Sequence, residues 1–534
     1  MLFFPRTRSQ ASRNRKTTLG VEQFGERIVP AGLVDVTFMN GTLKIMGDAA
    51  DNTLTVTQTA DNRLTLTTDI GTGLRVNGTN VSGFMGHTLT TPVTGGVTVN
   101  MGAGIDSLTF NGATEDIDLP SFLNINGGDG NNLLTFQQGV TVGGDVTITN
   151  GLGLDTIHLN DELNFLGKTT INNGKGGSLI DSNATTDLRV GGVFSVTNGA
   201  GFDKLDWKTA QNVKLGGYVQ STGADTDGSE FDLSPVKSLT INGAVKVTNG
   251  AGSDLLDLGD PTLVTKITGA LTVANGAGFN HTDVIGADSL FVGGPINFTG
   301  GANDDLVHLG LNSNLVSFGA ITITGGAGSN SSIVAGTELN VVGNVSVIGG
   351  AGSDSLQFVT TNDSLITGAV SLTLGAGANS LTADSGNGTA LSIGKTLNFL
   401  STSAAPNSNT VELRAVRIQG AATITTGGGN DLILIDDVTF AGKFTLNTSG
   451  GTDTVNIEQL AGWTGHTNFL GAVVIQTGVG DDTVKVSDVL AKPEQKAIFA
   501  SSVKFDGGLG TDTLQLSDFG ANLFYGSPAV KISF

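Results

Sequence analysis

A short phrase of glycine, turn residues and aspartate returns about every 25 residues through most of this chain. Clear copies are Gly102-Ala-Gly104-Ile-Asp106, Gly151-Leu-Gly153-Leu-Asp155, Gly250-Ala-Gly252-Ser-Asp254, Gly350-Ala-Gly352-Ser-Asp354 and Gly508-Leu-Gly510-Thr-Asp512. An interval of this size marks stacked repeats rather than a globular domain. In such a stack each unit touches only its neighbours, and the product is an extended surface.

Aligning on the residue after the glycines places Asp106, Asn132, Asp155, Ser178, Asp203, Asp227, Asp254, Asn280, Asp305, Asn330, Asp354, Asn379, Asn409, Asp431, Asp453, Asp482 and Asp512 in one column. After it comes strict alternation, as in Ser107-Leu-Thr-Phe110 and Thr483-Val-Lys-Val486. Period-two patterning is the mark of a half-buried strand. A second strand precedes the glycines (Val146-Thr-Ile148-Thr, Ile321-Thr-Ile323-Thr), and a third, shorter one precedes that (Thr141-Val142-Gly143). Three short strands per 25 residues make one coil of a parallel β-helix, an all-β solenoid. The handedness of parallel crossovers predicts a right-handed coil. Phe110 and Phe136 fall at equivalent places in adjacent coils, with Trp207 at that place in a later one, so an interior stack is expected.

Ahead of the repeats, Asn40-Gly41 lies between two alternating runs and is a tight-hairpin signal. Residues 32–100 read as a β-meander capping the first coil, 101–518 as the repeats, and 519–534 as a closing cap over the last edge. The formal net charge is −21. Residues 1–31 carry six basic and two acidic residues, which leaves −25 for the rest. So acidic a body argues against nucleic acid as a partner. There is no Cys, which excludes disulfides and thiolate metal sites. No run of 18 apolar residues is present, so no membrane span is expected.

Within the basic segment, Glu22, Glu26, Arg27, Pro30 and Ala31 resemble the "LExLExRxxPA" stretch near the start of large exported or surface proteins of planctomycete bacteria. The resemblance implies that 1–31 is a targeting or disordered segment and that the protein is extracellular or on the cell surface.

The corner phrase itself resembles half of the RTX (hemolysin-type) nonapeptide GGxGxDxUx, which implies calcium. The RTX copies are tandem, whereas these stand a full coil apart. Two readings of the Asp column follow. Asp and Asn both cap turns by accepting backbone N–H groups, and the free exchange of Asn280, Asp305, Asn330, Asp354 and Asn379 favours that role. A calcium ladder would prefer carboxylates. Carboxylates stacked about 4.8 Å apart repel by roughly 1 kcal/mol in water and about 3–4 at an effective dielectric of 20, and interleaved Asn relieves this. Relief is missing at Asp431, Asp453, Asp482 and Asp512, with Asp481 and Asp436-Asp437 adding charge nearby. Asp431, Asp453, Asp481, Asp482 and Asp512 are therefore the candidate metal ligands, and Ca2+ the candidate cofactor.

No catalytic constellation is evident. The five His (His87, His158, His281, His308, His466) fall in different coils without ligand spacing, and His158 and His308 are expected on the solvated face. No nucleophile elbow precedes a helix. The expected function is non-enzymatic: a rigid structural or adhesive rod meeting envelope or matrix components, glycans or other cells. An RTX-like calcium-binding secreted protein is the alternative, and a carbohydrate-active β-helix enzyme the third reading.

Overall fold

The computed structural model describes residues 32–182, 187–222, 226–260, 264–386, 388–404, 406–460, 463, 465–487, 496–516, 523–524, 530–532 and 534. The proposed targeting segment 1–31 and much of the closing cap lie outside these residues. Every element described is a strand. The chain winds into a parallel β-solenoid of about 15 turns with about 25 residues per coil, as the repeat interval predicts.

Each coil contributes a leading, a middle and a closing strand. In one coil these are Leu133–Gln137, Val140–Val142 and Val146–Asn150; in the next, Asp155–Leu159, Leu163–Phe165 and Thr169–Asn173. Each strand pairs parallel and in register with its equivalents before and after it, for instance Leu134 with Ile157, Val142 with Phe165 and Ile148 with Ile171. Leading strands build one sheet, and middle and closing strands build the other. The alternation places Leu, Ile, Val and Phe inside and Thr, Ser, Asn and charged residues outside, which is why one residue of slip would invert the faces.

Side chains inside stack along the axis. Phe110 and Phe136 are parallel at 5.3 Å between ring centroids. Phe440, Phe469 and Phe499 form a second stack at 5.0 and 4.9 Å. Trp207 is fully buried at the place the sequence assigns it. One correction concerns register: Ser229, not Asp227, stands opposite Asp203 and Asp254.

The N-terminal hairpins start the solenoid as well as closing it. Gly32–Met39 and Thr42–Met46 pair antiparallel around Asn40 and Gly41, both at positive φ (51° and 75°), as a twisted two-residue hairpin requires. Thr42–Met46 then pairs parallel with Val97–Asn100, and Thr53–Gln58 with Ser107–Asn111. Their antiparallel partners, Gly32–Met39 and Leu64–Thr68, cover the edges left over. At the other end Leu523–Phe524 and Val530–Ile532 add to the middle and closing ladders.

Candidate functional site

The corner between closing and leading strands carries the repeat phrase, and there the chain must turn with its backbone N–H groups out of reach of regular pairing. Two side-chain ladders satisfy them. In the inner ladder the oxygen of each Asx accepts the N–H of its equivalent one coil earlier. Asn52 N–H donates to Asp106 Oδ1 (2.7 Å), Asp106 to Asn132 (3.2 Å) and Asn132 to Asp155 (3.0 Å). The series resumes through Asp305, Asn330, Asp354, Asn379, Asn409, Asp431, Asp453 and Asp482 to Asp512. The outer ladder uses the preceding residue and runs the other way. Asp51 Oδ1 accepts Ile105 N–H (2.7 Å), Asn131 accepts Leu154 (2.8 Å), and Asp481 accepts Thr511 (2.8 Å).

Asn does more in the inner ladder than dilute charge. The amides of Asn280, Asn330 and Asn409 donate to Asp305, Asp354 and Asp431 at 2.9, 2.8 and 2.9 Å. Burial pushes the Asp106 and Asp155 carboxyls up to about 6, against the hydrogen bonds of Asn52 and Asn132 respectively. In the run without Asn, burial pushes Asp453 up to about 7, and Asp431 and Asp482 on either side add to it.

The five sequence candidates thus divide. Asp431, Asp453, Asp482 and Asp512 occupy successive inner rungs, and Asp481 an outer one. None of them belongs to a group that gathers three ligand atoms among the described residues. Two other groups do.

The first is Asp436, Asp437 and Glu458, whose ligand atoms lie within 4.8 Å of one another. It sits at the next corner, where the leading strands Leu432–Asp436 and Thr454–Ile457 end. Asp437 and Glu458 take positive φ (56° and 55°). Each carboxylate has one oxygen held by a backbone N–H: Leu460 to Asp436 Oδ2 (3.0 Å), Gly465 to Asp437 Oδ2 (3.1 Å) and Asp437 to Glu458 Oε1 (3.0 Å). The other three oxygens, Asp436 Oδ1, Asp437 Oδ1 and Glu458 Oε2, are buried without a hydrogen bond. Burial first, and then Asp436, push Glu458 up to about 8; burial pushes Asp436 up to about 6. The spacing carries a signal that sequence reasoning missed for Glu458: it follows Asp453 by five residues, as Asp436 follows Asp431.

The second group lies on the outer face of the leading sheet. The third residue after the Asx position forms a column, His158, Asp181, Asp206, Asp232, Asp257, Asp283 and His308, in register from coil to coil. Five consecutive carboxylates are thereby flanked by a His at each end. Nitrogen-bearing side chains meet most of them: His158 Nδ1 with Asp181 (2.6 Å), Lys204 with Asp206 (3.3 Å) and Lys208 with Asp232 (2.8 Å). At the far end Asp283 Oδ1 meets both His281 Nε2 (2.9 Å) and His308 Nδ1 (2.8 Å). Burial opposes the Asp283 charge, but these two imidazoles outweigh it and hold the carboxyl below its ordinary value. His281 and His308 do lie in different coils, but the expectation that they lack ligand spacing is corrected. His281 and His308 differ by 27 residues, one turn of the coil, and their rings stand 5.2 Å apart at 87°.

No known protein family, curated protein or solved structure matches the chain closely enough to lend it a function.

Proposed function

We propose that this chain is a non-enzymatic structural or adhesive rod of the cell surface or extracellular matrix. The observation that carries the reading is the parallel pairing of all three strands from coil to coil over about 15 turns. A continuous interior stack of this kind resists bending and presents long, flat, Thr-rich faces to envelope or matrix components, glycans or another cell. Protease shaving and immunogold labelling of intact producing cells are expected to find the chain outside, and its deletion to reduce attachment. Recovery of the chain solely from the cytosol would refute the reading.

A second reading, calcium binding, is favoured by one specific observation: the three buried carboxylate oxygens without hydrogen bonds at Asp436, Asp437 and Glu458. Three hard oxygen donors, each anchored through its partner oxygen, suit a calcium ion completed by water. The ion would join two successive coils and remove the repulsion among the carboxylates. The RTX resemblance then concerns the ion rather than the ligand positions. Calcium is expected to raise the melting temperature at pH 8 over that in chelator, and Glu458→Gln to abolish the rise while Asp512→Asn keeps it. An equal rise in both variants, or none in the unaltered protein, counts against this site.

A further inference from the structure

We propose that His281, Asp283 and His308, with Asp257 beside them, bind one divalent transition-metal ion of the zinc class. The ligand atoms of the first three lie within 4.8 Å of one another. His281 Nε2 and His308 Nδ1 converge on a single oxygen, Asp283 Oδ1. Two imidazole nitrogens meeting one carboxylate oxygen form the triangle in which one ion replaces two shared protons. Tetrahedral zinc with bonds of about 2.0–2.1 Å spaces its donors about 3.3–3.4 Å apart. The present contacts of 2.8 and 2.9 Å need to open by only about half an ångström, within reach of small χ rotations.

A fourth donor stands one rung away, outside the group of three whose ligand atoms lie within 4.8 Å. Asp257 precedes Asp283 by one rung of the same column, and its Oδ1 is buried without a hydrogen bond. Two neutral imidazoles and two carboxylates balance a dication. The donors stand on the strands Asp254–Leu258, Asn280–Val284 and Asp305–Leu309 of three successive coils, so the backbone fixes their spacing. The side chains of His281, Asp283 and His308 remain 30%, 21% and 15% exposed, which leaves the ion a route from solvent. Nitrogen donors separate this site from the all-oxygen corner at Asp436: imidazole suits zinc, nickel, copper or cobalt, and calcium poorly. At the other end of the column His158 and Asp181 hold one imidazole and one carboxylate, too few for such an ion.

The test uses the full chain without a histidine tag, stripped with chelator. Titration with Co2+ is expected to give the intense visible bands of a four-coordinate ion with one equivalent bound. Zinc is expected to displace it, and excess calcium is not. His281→Gln and His308→Gln should each lower the affinity by more than about 10-fold, the loss that even an outer partner of a ligand causes, with Glu458→Gln unaffected. With zinc at 100 times its Kd, exchange of backbone amides that requires the site to open should slow about 100-fold, and this should be confined to the three coils named. A spectrum identical to that of aqueous cobalt in the unaltered protein overturns the proposal, whatever the variants do. So does one equivalent bound with unchanged affinity in both folded variants.

Discussion

In chelator, the rod melts at a higher temperature at pH 5 than at pH 8. The causes are the buried Asx ladder and the neighbouring corner, where burial raises Asp436 to about 6 and Glu458 to about 8. Burial holds Asp106 and Asp155 at about 6 and Asp453 at about 7 in the fold, against about 3.9 in the unfolded chain. The folded state therefore binds more protons than the unfolded state across this window. Stability from these groups is complete below about pH 4 and is lost as pH rises through 6 and 7. A three-unit shift corresponds to at most about 4 kcal/mol for Asp453, reduced in practice by relaxation and water entry. Groups whose pKa is lowered, such as Asp187 and Asp283, act below their unfolded values and leave the range from 5 to 8 untouched.

The decisive variant is Asp453→Asn. An amide keeps the oxygen that accepts Asp431 N–H (2.8 Å) and carries no charge, so at pH 8 it should stabilise the rod by roughly 2–3 kcal/mol and flatten the pH profile. Asp453→Ala should lose about 1–3 kcal/mol at pH 5, because the Asp431 N–H is left buried without an acceptor, and less at pH 8, where removal of the buried charge offsets that loss. Melting curves of the three proteins from pH 5 to 8 measure both effects. A midpoint that rises with pH, or an Asn variant weaker than the parent at pH 8, contradicts the account.

The coil was legible because its cause is local. Alternation after each Asx and the glycines before it are set by strand and turn chemistry, so Ser107–Asn111 and its equivalents could be placed without any distant contact. The clusters were harder to see, because their members are one turn apart in the chain and adjacent only after stacking. His308 looks isolated until the column is read vertically, as do Asp181, Asp206, Asp232, Asp257 and Asp283, each in the same position of its coil, and His281 stands two residues before Asp283 on the same strand. Asp227 shows the opposite failure: a residue of the right type at nearly the right interval, displaced from the rung by Ser229. The five acids proposed as ligands had the right spacing for a ladder. Spacing alone did not show that the backbone N–H groups of neighbouring coils would take up one oxygen of each.

The glycine column supplies the largest single-residue effect expected of this fold. Turn chemistry explains some of its glycines: Gly480, at φ 143°, is one. In the middle of the rod the reason differs. Gly276, Gly301 and Gly326 lie outside the left-handed region, yet a Cβ on each would stand only 1.2–1.3 Å from the carbonyl oxygen of Gly250, Gly276 and Gly301 respectively. Backbone lies directly on backbone, one coil against the next, and no side chain can move aside. Gly301→Ala must therefore force adjacent coils apart or break their pairing at this corner, with a cost above about 3 kcal/mol, beyond ordinary overpacking. Gly388→Ala is the control. Gly388 has positive φ (86°) but nothing within 4 Å of the added carbon, so it should lose only the 1–2 kcal/mol or so of a left-handed alanine. Because each coil is held by its neighbours, the Gly301 variant should unfold in stages. Hydrogen exchange should show the coils on either side of residue 301 opening first, while the N-terminal hairpins stay protected. Equal destabilisation by the two substitutions would mean that conformational freedom, rather than close stacking, accounts for the column.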